Sequence, residues 1–210
     1  MMKKMFFAVL AAGLMLAGTN AFAQASINAG YLNSTQTREN SKGVNSHGAF
    51  FGVSYSIEFG GGFGISPGIY YSLIANKNTA AAKVFGVDVS SGSQFREHAV
   101  NVPVYLNWGA DLARDSRFFV FAGPTVQYGL SSKTKISGGV GSVTGDHTYD
   151  NYKDANQNPF NVYLGGGLGM DVGGIQITAG FDYGMMNLYK GDNAEKSHRY
   201  NIKIGVGYSF

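Results

Sequence analysis

The chain has 210 residues, of which 44% are hydrophobic, 14% aromatic and only 14% charged, against about 25% charged in ordinary soluble domains. Low charge with many aromatics excludes a largely disordered chain, and 4 prolines beside 31 glycines exclude a collagen-like one. The absence of cysteine removes disulfide frameworks, thiolate zinc sites, cysteine nucleophiles and a lipid-modified N-terminal Cys. A net charge of +3 from scattered basic residues gives no nucleic-acid footprint.

Met1 to Ala23 divides into a positive start (Lys3, Lys4), an uncharged apolar run from Phe6 to Gly18, and the small-x-small triplet Ala21-Phe22-Ala23. This is the pattern of a secretory signal peptide, with cleavage expected before Gln24. The apolar run is shorter than the ~20 residues a membrane-spanning helix needs. Residues 24–210 are then the functional domain, and loss of the two lysines leaves it almost neutral.

From residue 24 onward the signal is period-2 alternation, the mark of half-buried strands. It opens weakly with Ile27, Ala29, Tyr31. It then runs through Ala49–Phe59, Phe63–Ala75, His98–Trp108, Phe118–Leu130, Phe160–Val172, Ile175–Met185 and Tyr200–Phe210. In the segment from Ala49, for example, Ala49, Phe51, Val53, Tyr55, Ile57 and Phe59 alternate with Phe50, Gly52, Ser54, Ser56 and Glu58. Residues 35–47, 76–97, 131–159 and 189–199 are polar and long, and are expected as loops. Gly60-Gly61-Gly62, residues 109–116 and Gly173-Gly174 are expected as tight turns. Eight segments with long and short connections in alternation predict an eight-stranded antiparallel up-and-down barrel.

Three features predict that the apolar face meets lipid. The strong segments run about 11 to 13 residues, where soluble strands average ~5–6 and membrane strands need ~9–11. The opposite face holds mainly Gly, Ser, Asn and Gln together with Glu58, Arg117, Asp171, Asp182 and Lys203, which no soluble protein could use as a dry core. The apolar face carries no Asp, Glu, Lys or Arg, in keeping with the ~2–4 kcal/mol a charge costs at the bilayer midplane. Its aromatics gather at both ends: Phe59, Phe63, Trp108, Phe118, Tyr208 and Phe210 by the short turns, and Tyr31, Tyr71, Tyr128, Phe160, Tyr183 and Tyr200 towards the long connections. These predict two interfacial girdles.

Val102-Pro103-Val104-Tyr105-Leu106, Phe121-Ala122-Gly123-Pro124, Tyr163 to Gly169 and the terminal Gly205 to Phe210 resemble strands of the small PorT-like outer-membrane β-barrel proteins common in Bacteroidota. The likeness covers essentially all of Gln24 to Phe210, and the architecture is similar to OmpX and OmpA. It implies an integral outer-membrane barrel, often labelled porin family, without implying an open pore. The ending Lys203-x-Gly205-x-x-Tyr208-x-Phe210 looks like the signal that the barrel-assembly machinery reads, a strand-addition mode of recognition.

Eight strands leave an interior that side chains fill. Buried charges need partners, so Asp182 and Lys203 are expected nearly opposite each other in the last hairpin, with Glu58, Arg117 and Asp171 as a second cluster near the short-turn end. Gly165-x-Gly167 lacks the helix and acidic residue of a nucleotide site, and no cofactor is expected. His47, His98, His147 and His198 all fall at the long-connection end but on different strands, so no metal site is expected. Contact of that rim with lipopolysaccharide phosphates, aided by Arg96 and Arg199, is the generic alternative. Asp154-x-Asn156-x-Asn158 imitates a calcium loop, yet Pro159 and Gly165 stand where Gly and Glu are required. Ser131, Ser132, His147 and Asp150 share one connection without fixed geometry, so no catalytic residues and no enzyme activity are expected. The reading is a monomeric envelope protein of the outer membrane, exported through the periplasm. Its expected partners are outer-membrane lipids, lipopolysaccharide and, during insertion, the assembly machinery. Its longest connection, 131–159, is a natural interaction surface. The alternatives are a narrow pore for small solutes or, further off, a lipid-modifying enzyme.

Overall fold

A computed structural model describes residues 23–38, 41–84, 87–140, 143–190 and 196–210. Ala21 and the rest of the predicted signal peptide up to residue 22 lie outside the described residues, while Ala23 is the first residue of β1. The described residues form nine strands, in chain order β1 (Ala23–Arg38), β2 (Ser41–Gly60), β3 (Phe63–Val84), β4 (Val87–Ala113), β5 (Ser116–Val140), β6 (Val143–Asp150), β7 (Phe160–Val172), β8 (Ile175–Gly184) and β9 (Ser197–Ser209). All pair antiparallel.

Eight of the strands close into a ring. The order β4-β3-β2-β1-β9-β8-β7-β5 returns to β4 through the β4–β5 pairing, and the β1–β9 seam runs from Ser26↔Ser209 to Arg38↔Ser197. The fold is all-β, as the alternation predicts. At one end the turns are tight. Gly173 and Gly174 have φ of 60° and 85°, the two consecutive left-handed positions that a two-residue hairpin turn requires and that glycine adopts without strain.

The other end departs from the expected loops. Most of residues 35–47 and 76–97, and much of 131–159, are strand. β4 runs for 27 residues and β5 for 25, more than twice the ~9–11 that cross a membrane. The excess forms hairpins that continue the wall beyond the bilayer. The ninth strand, β6, pairs only with the outer part of β5 (Lys133↔Asp150 to Val140↔Val143). These segments are mainly polar and carry no regular apolar alternation, which hides the period-2 signal but leaves backbone pairing intact. Of 189–199, residues 191–195 lie outside the described set.

The distribution of side chains is that of a soluble protein turned inside out. Mid-strand Leu106, Ile177 and Val206 are 64%, 56% and 56% exposed, whereas Asn28, Thr125, Gln127, Asn161, Asp182 and Asn201 are buried. A continuous apolar surface of this extent around a barrel is favourable only against acyl chains. One register fault alters the alternation. Ala99 pairs with Gly129 but His98 pairs with Ser131, so Leu130 is an extra residue on β5. Such a bulge re-aims every side chain beyond it. Ser132 therefore points inward and is 0% exposed, while Lys133 and Lys135 turn to the outer face.

Candidate functional site in the lumen and at the rim

The lumen holds a cavity of about 260 Å³ that reaches from Glu97 and Arg199 near the long-hairpin end to Glu58 and Arg117 near the short turns. Among the described residues, three ion pairs are stacked along it. In the middle, Lys203 Nζ lies 2.6 Å from Asp182 Oδ2. Lys203 also donates to Tyr105 Oη at 3.0 Å, and the Tyr105 hydroxyl donates to Asp182 Oδ1 at 3.4 Å. The expected pairing of Asp182 with Lys203 is made, but diagonally. Asp182 faces Asn201 and Lys203 faces Gly180, and the long lysine side chain spans the offset. Gly165 leaves room for this cluster, since a Cβ there would stand 2.0 Å from Asp182 Oδ1.

At the short-turn end Arg117 pairs with Glu58 and donates through Nη2 to the Gly62 carbonyl at 3.2 Å. Asp171, expected in the same cluster, sits directly across from Arg117 in the register but is used differently. Its Oδ1 accepts the Gly174 N–H at 3.1 Å and so caps the β7–β8 turn. That turn offers an orphan donor closer than the guanidinium, which is already engaged by Glu58.

The third pair escaped sequence reasoning. Glu97 and Arg199 form a two-pronged pair, with side chains only 3% and 4% exposed; Arg199 Nη2 donates to Glu97 Oε2 at 3.1 Å. Arg199, considered for the outer rim, points inward. The signal was present in its parity, because His198 and Tyr200 take the outer positions. Glu97 fell within a presumed loop and offered no such clue. Above this pair lies a covering layer that keeps it from solvent. Tyr152 and the buried Gln157, from the segment after β6, and Leu188, from the segment after β8, cover it. Burial, reinforced by the Glu97 carboxylate, pushes the Tyr152 phenol well above its ordinary pKa. Ser132 Oγ donates to Gln157 Oε1 at 3.2 Å and accepts from Asn151 Nδ2 at 2.9 Å. The Gly129 N–H donates to the Pro159 carbonyl at 2.7 Å, and a Cβ on Gly129 would lie 1.7 Å from Tyr152 Oη. Tyr163, 1% exposed, donates to Gln127 Oε1 at 3.1 Å beneath this layer. These contacts and the buried aliphatic side chains of Leu32, Ile74 and Leu188 make up a seal over the Glu97–Arg199 pair, in which Asn161 Nδ2 and Asn201 Oδ1 are buried without a hydrogen-bond partner.

At the rim, three histidines repeat one arrangement with a tyrosine of the preceding strand. Tyr31 Oη and His47 Nδ1 are 2.5 Å apart, Tyr71 is hydrogen-bonded to His98, and Tyr183 stacks on His198 with ring centroids 5.7 Å apart. His147 instead packs edge-on against Tyr149 on β6. Among the described residues no three His, Asp or Glu side chains converge. Asp154 accepts the Asp150 N–H at 2.8 Å and Asn158 accepts the Phe160 N–H at 3.1 Å, so both serve the local backbone. Ser131 faces outward opposite His98, whereas Ser132 is buried in the seal, and His147 pairs with Ile136 on the far hairpin. These residues do not form one constellation. In the terminal strand, Lys203 and Gly205 face the lumen, while Tyr208 and Phe210 lie outside with ring centroids 5.4 Å apart.

The family described as "Outer membrane protein beta-barrel domain" matches residues 16–190. A search of curated proteins gives no match. Among solved structures, Ail, the attachment invasion locus protein of Yersinia pestis, is 15% identical, with 90% of this chain and 99% of that chain covered and a TM-score of 0.42. Neisserial surface protein A is 12% identical, covering 89% and 97%, with a TM-score of 0.42. The N-terminal β-barrel domain of Pseudomonas aeruginosa OprF is 11% identical, covering 88% and 97%, with a TM-score of 0.34.

Proposed function

Because the chain belongs to the family of outer membrane protein β-barrel domains, we propose that it is a non-conducting integral component of the outer membrane that presents its long hairpins as an interaction surface. The observation that carries this reading is the seal. Tyr152, Gln157 and Leu188 lie over the buried Glu97–Arg199 pair, at the long-hairpin end of the lumen cavity. A transported solute would have to displace charged and hydrogen-bonded groups that hold one another, each costing about 1–3 kcal/mol to leave unpaired.

In this reading the protein is a PorT-like barrel of a Bacteroidota envelope, made with a signal peptide ending at Ala23 and exported through the periplasm. It acts as a monomer and without catalysis. Outer-membrane lipids, lipopolysaccharide among them, surround its apolar belt. The assembly machinery reads Lys203, Gly205, Tyr208 and Phe210 while β9 still has an unpaired edge, before β1 closes on it. Single-channel recording in planar bilayers tests the reading. The expected record is flat, and stable conductance steps from the folded protein would replace it with the narrow-pore alternative.

A further inference from the structure

We propose that the outer wall of β3, β4 and β5, just above the membrane boundary, binds the phosphate groups of outer-leaflet lipids through Lys77, Arg96 and Lys133. The register places these residues on one small area. Arg96 and Lys133 are direct cross-strand partners, and Lys77, which faces Gln94, is diagonal to Arg96. All three are exposed, and among the described residues none has an ion-pair partner. The bulge at Leu130 is what brings Lys133 there; with unbroken alternation it would face the lumen.

Two like charges directly opposite each other on a sheet destabilise it, and the protein supplies little to relieve them. Asp150, across β6 from Lys133, accepts the Tyr152 N–H and lies 3.9 Å from Lys153. Asp146 is engaged by Lys135 at 2.6 Å. The patch of Lys77, Arg96, Lys133, Lys135 and Lys153 thus keeps a surplus of two positive charges over Asp146, Asp150 and Asp154. An anion from outside the protein would relieve the repulsion.

The position selects lipid as its source. Tyr71, Val100 and Tyr128 share one row of the outer face, His98 stands in the next outward row, and Arg96 with Lys133 in the one after. Four residues of strand at about 3.3 Å each, tilted by roughly 40°, put the cations about 10 Å above the aromatic girdle. Flexible lysine and arginine stems cover that distance back to the headgroups. The guanidinium fork suits a phosphate held by two bonds, with the lysines as point charges beside it.

The proposal rests on the lipid-facing reading of this wall, and the experiment separates the two. Folded protein in phosphatidylcholine nanodiscs is titrated with diphosphorylated lipid A, with lipid A stripped of both phosphates, and with inorganic phosphate. Native mass spectrometry counts bound lipid. Wild type should retain diphosphorylated lipid A, and the triple variant Lys77→Gln, Arg96→Gln, Lys133→Gln should lose at least tenfold in affinity. A double variant on the opposite side, Lys190→Gln, Lys196→Gln, should match wild type. Equal binding of the dephosphorylated lipid, or a triple variant that binds like wild type, overturns the site. Competition by inorganic phosphate at similar concentration would make it a free-anion site and overturn the lipid assignment. Folding and electrical silence of the triple variant report on the barrel reading independently.

Discussion

Replacing Arg199 with Met should destabilise the barrel by about 3–5 kcal/mol, the cost of stranding one member of a buried ion pair. Glu97 would keep a carboxylate only 3% exposed, with its two guanidinium bonds gone. Hydrogen bonds to charged groups each contribute about 1.5–3 kcal/mol, so the two estimates agree. At about 1.4 kcal/mol per decade, the folding equilibrium constant should fall by roughly two to three and a half orders of magnitude. The double variant Glu97→Leu, Arg199→Met should regain most of that loss, since Leu32, Ile74 and Leu188 already supply aliphatic neighbours at this level and a packed apolar pair can match a buried ionic one. Reversible urea unfolding in lipid vesicles measures this. The only tryptophan, Trp108, sits on the lipid-facing wall and reports insertion without added labels. A single variant within 1 kcal/mol of wild type, or a double variant no better than the single, would refute the claim that this pair holds the seal.

Lys203→Met should cost less, about 2 kcal/mol, because Lys203 is 23% exposed to the cavity and Asp182 keeps its bond from Tyr105; the folded species should lose heat resistance on unboiled gels, and unchanged resistance would count against a lumen pair. Tyr152 retains its proton in the folded state where the unfolded chain releases it near pH 10. The folded state then binds more protons than the unfolded one above that pH, so wild-type stability should fall relative to Tyr152→Phe as pH rises past 10. Parallel curves for the two proteins would show that burial of this phenol is not felt. Phe210→Ala should slow insertion several-fold in proteoliposomes that contain the assembly machinery and leave folding into pure lipid unchanged; equal slowing in both would reduce the terminal motif to a girdle aromatic.

The transmembrane part of the fold was legible in the sequence because one side of each strand meets lipid and the other does not. That contrast writes Leu106 beside Tyr105 and Ile177 beside Thr178, and it also separates Asp182 and Lys203 from the outer face. Above the bilayer both faces meet water, so the extensions of β3, β4 and β5 carry no alternation and read as loops, though they pair as strands. The bulge at Leu130 leaves no mark in composition, and it decides which way Ser132 and Lys133 point. Glu97 was hidden for the first reason. Asp171 was assigned to the wrong partner because sequence shows charge and parity but not the orphan N–H of Gly174 that competes for it. The seal depends on a short irregular segment, residues 151–159, whose contacts with Gly129 and Ser132 are set by three-dimensional proximity alone.

Which side of the wall meets acyl chains decides whether this is a membrane barrel. With no native cysteine, single cysteines at Leu106, Ile177 and Val206 and at their neighbours Tyr105, Thr178 and Gly207 can each carry a nitroxide in lipid bilayers. Collision rates with dissolved oxygen should exceed those with a water-soluble nickel chelate at the first three positions and fall at the second three. The opposite alternation, or none, would mean that the apolar faces are turned inward and that this is not a membrane barrel of the kind described.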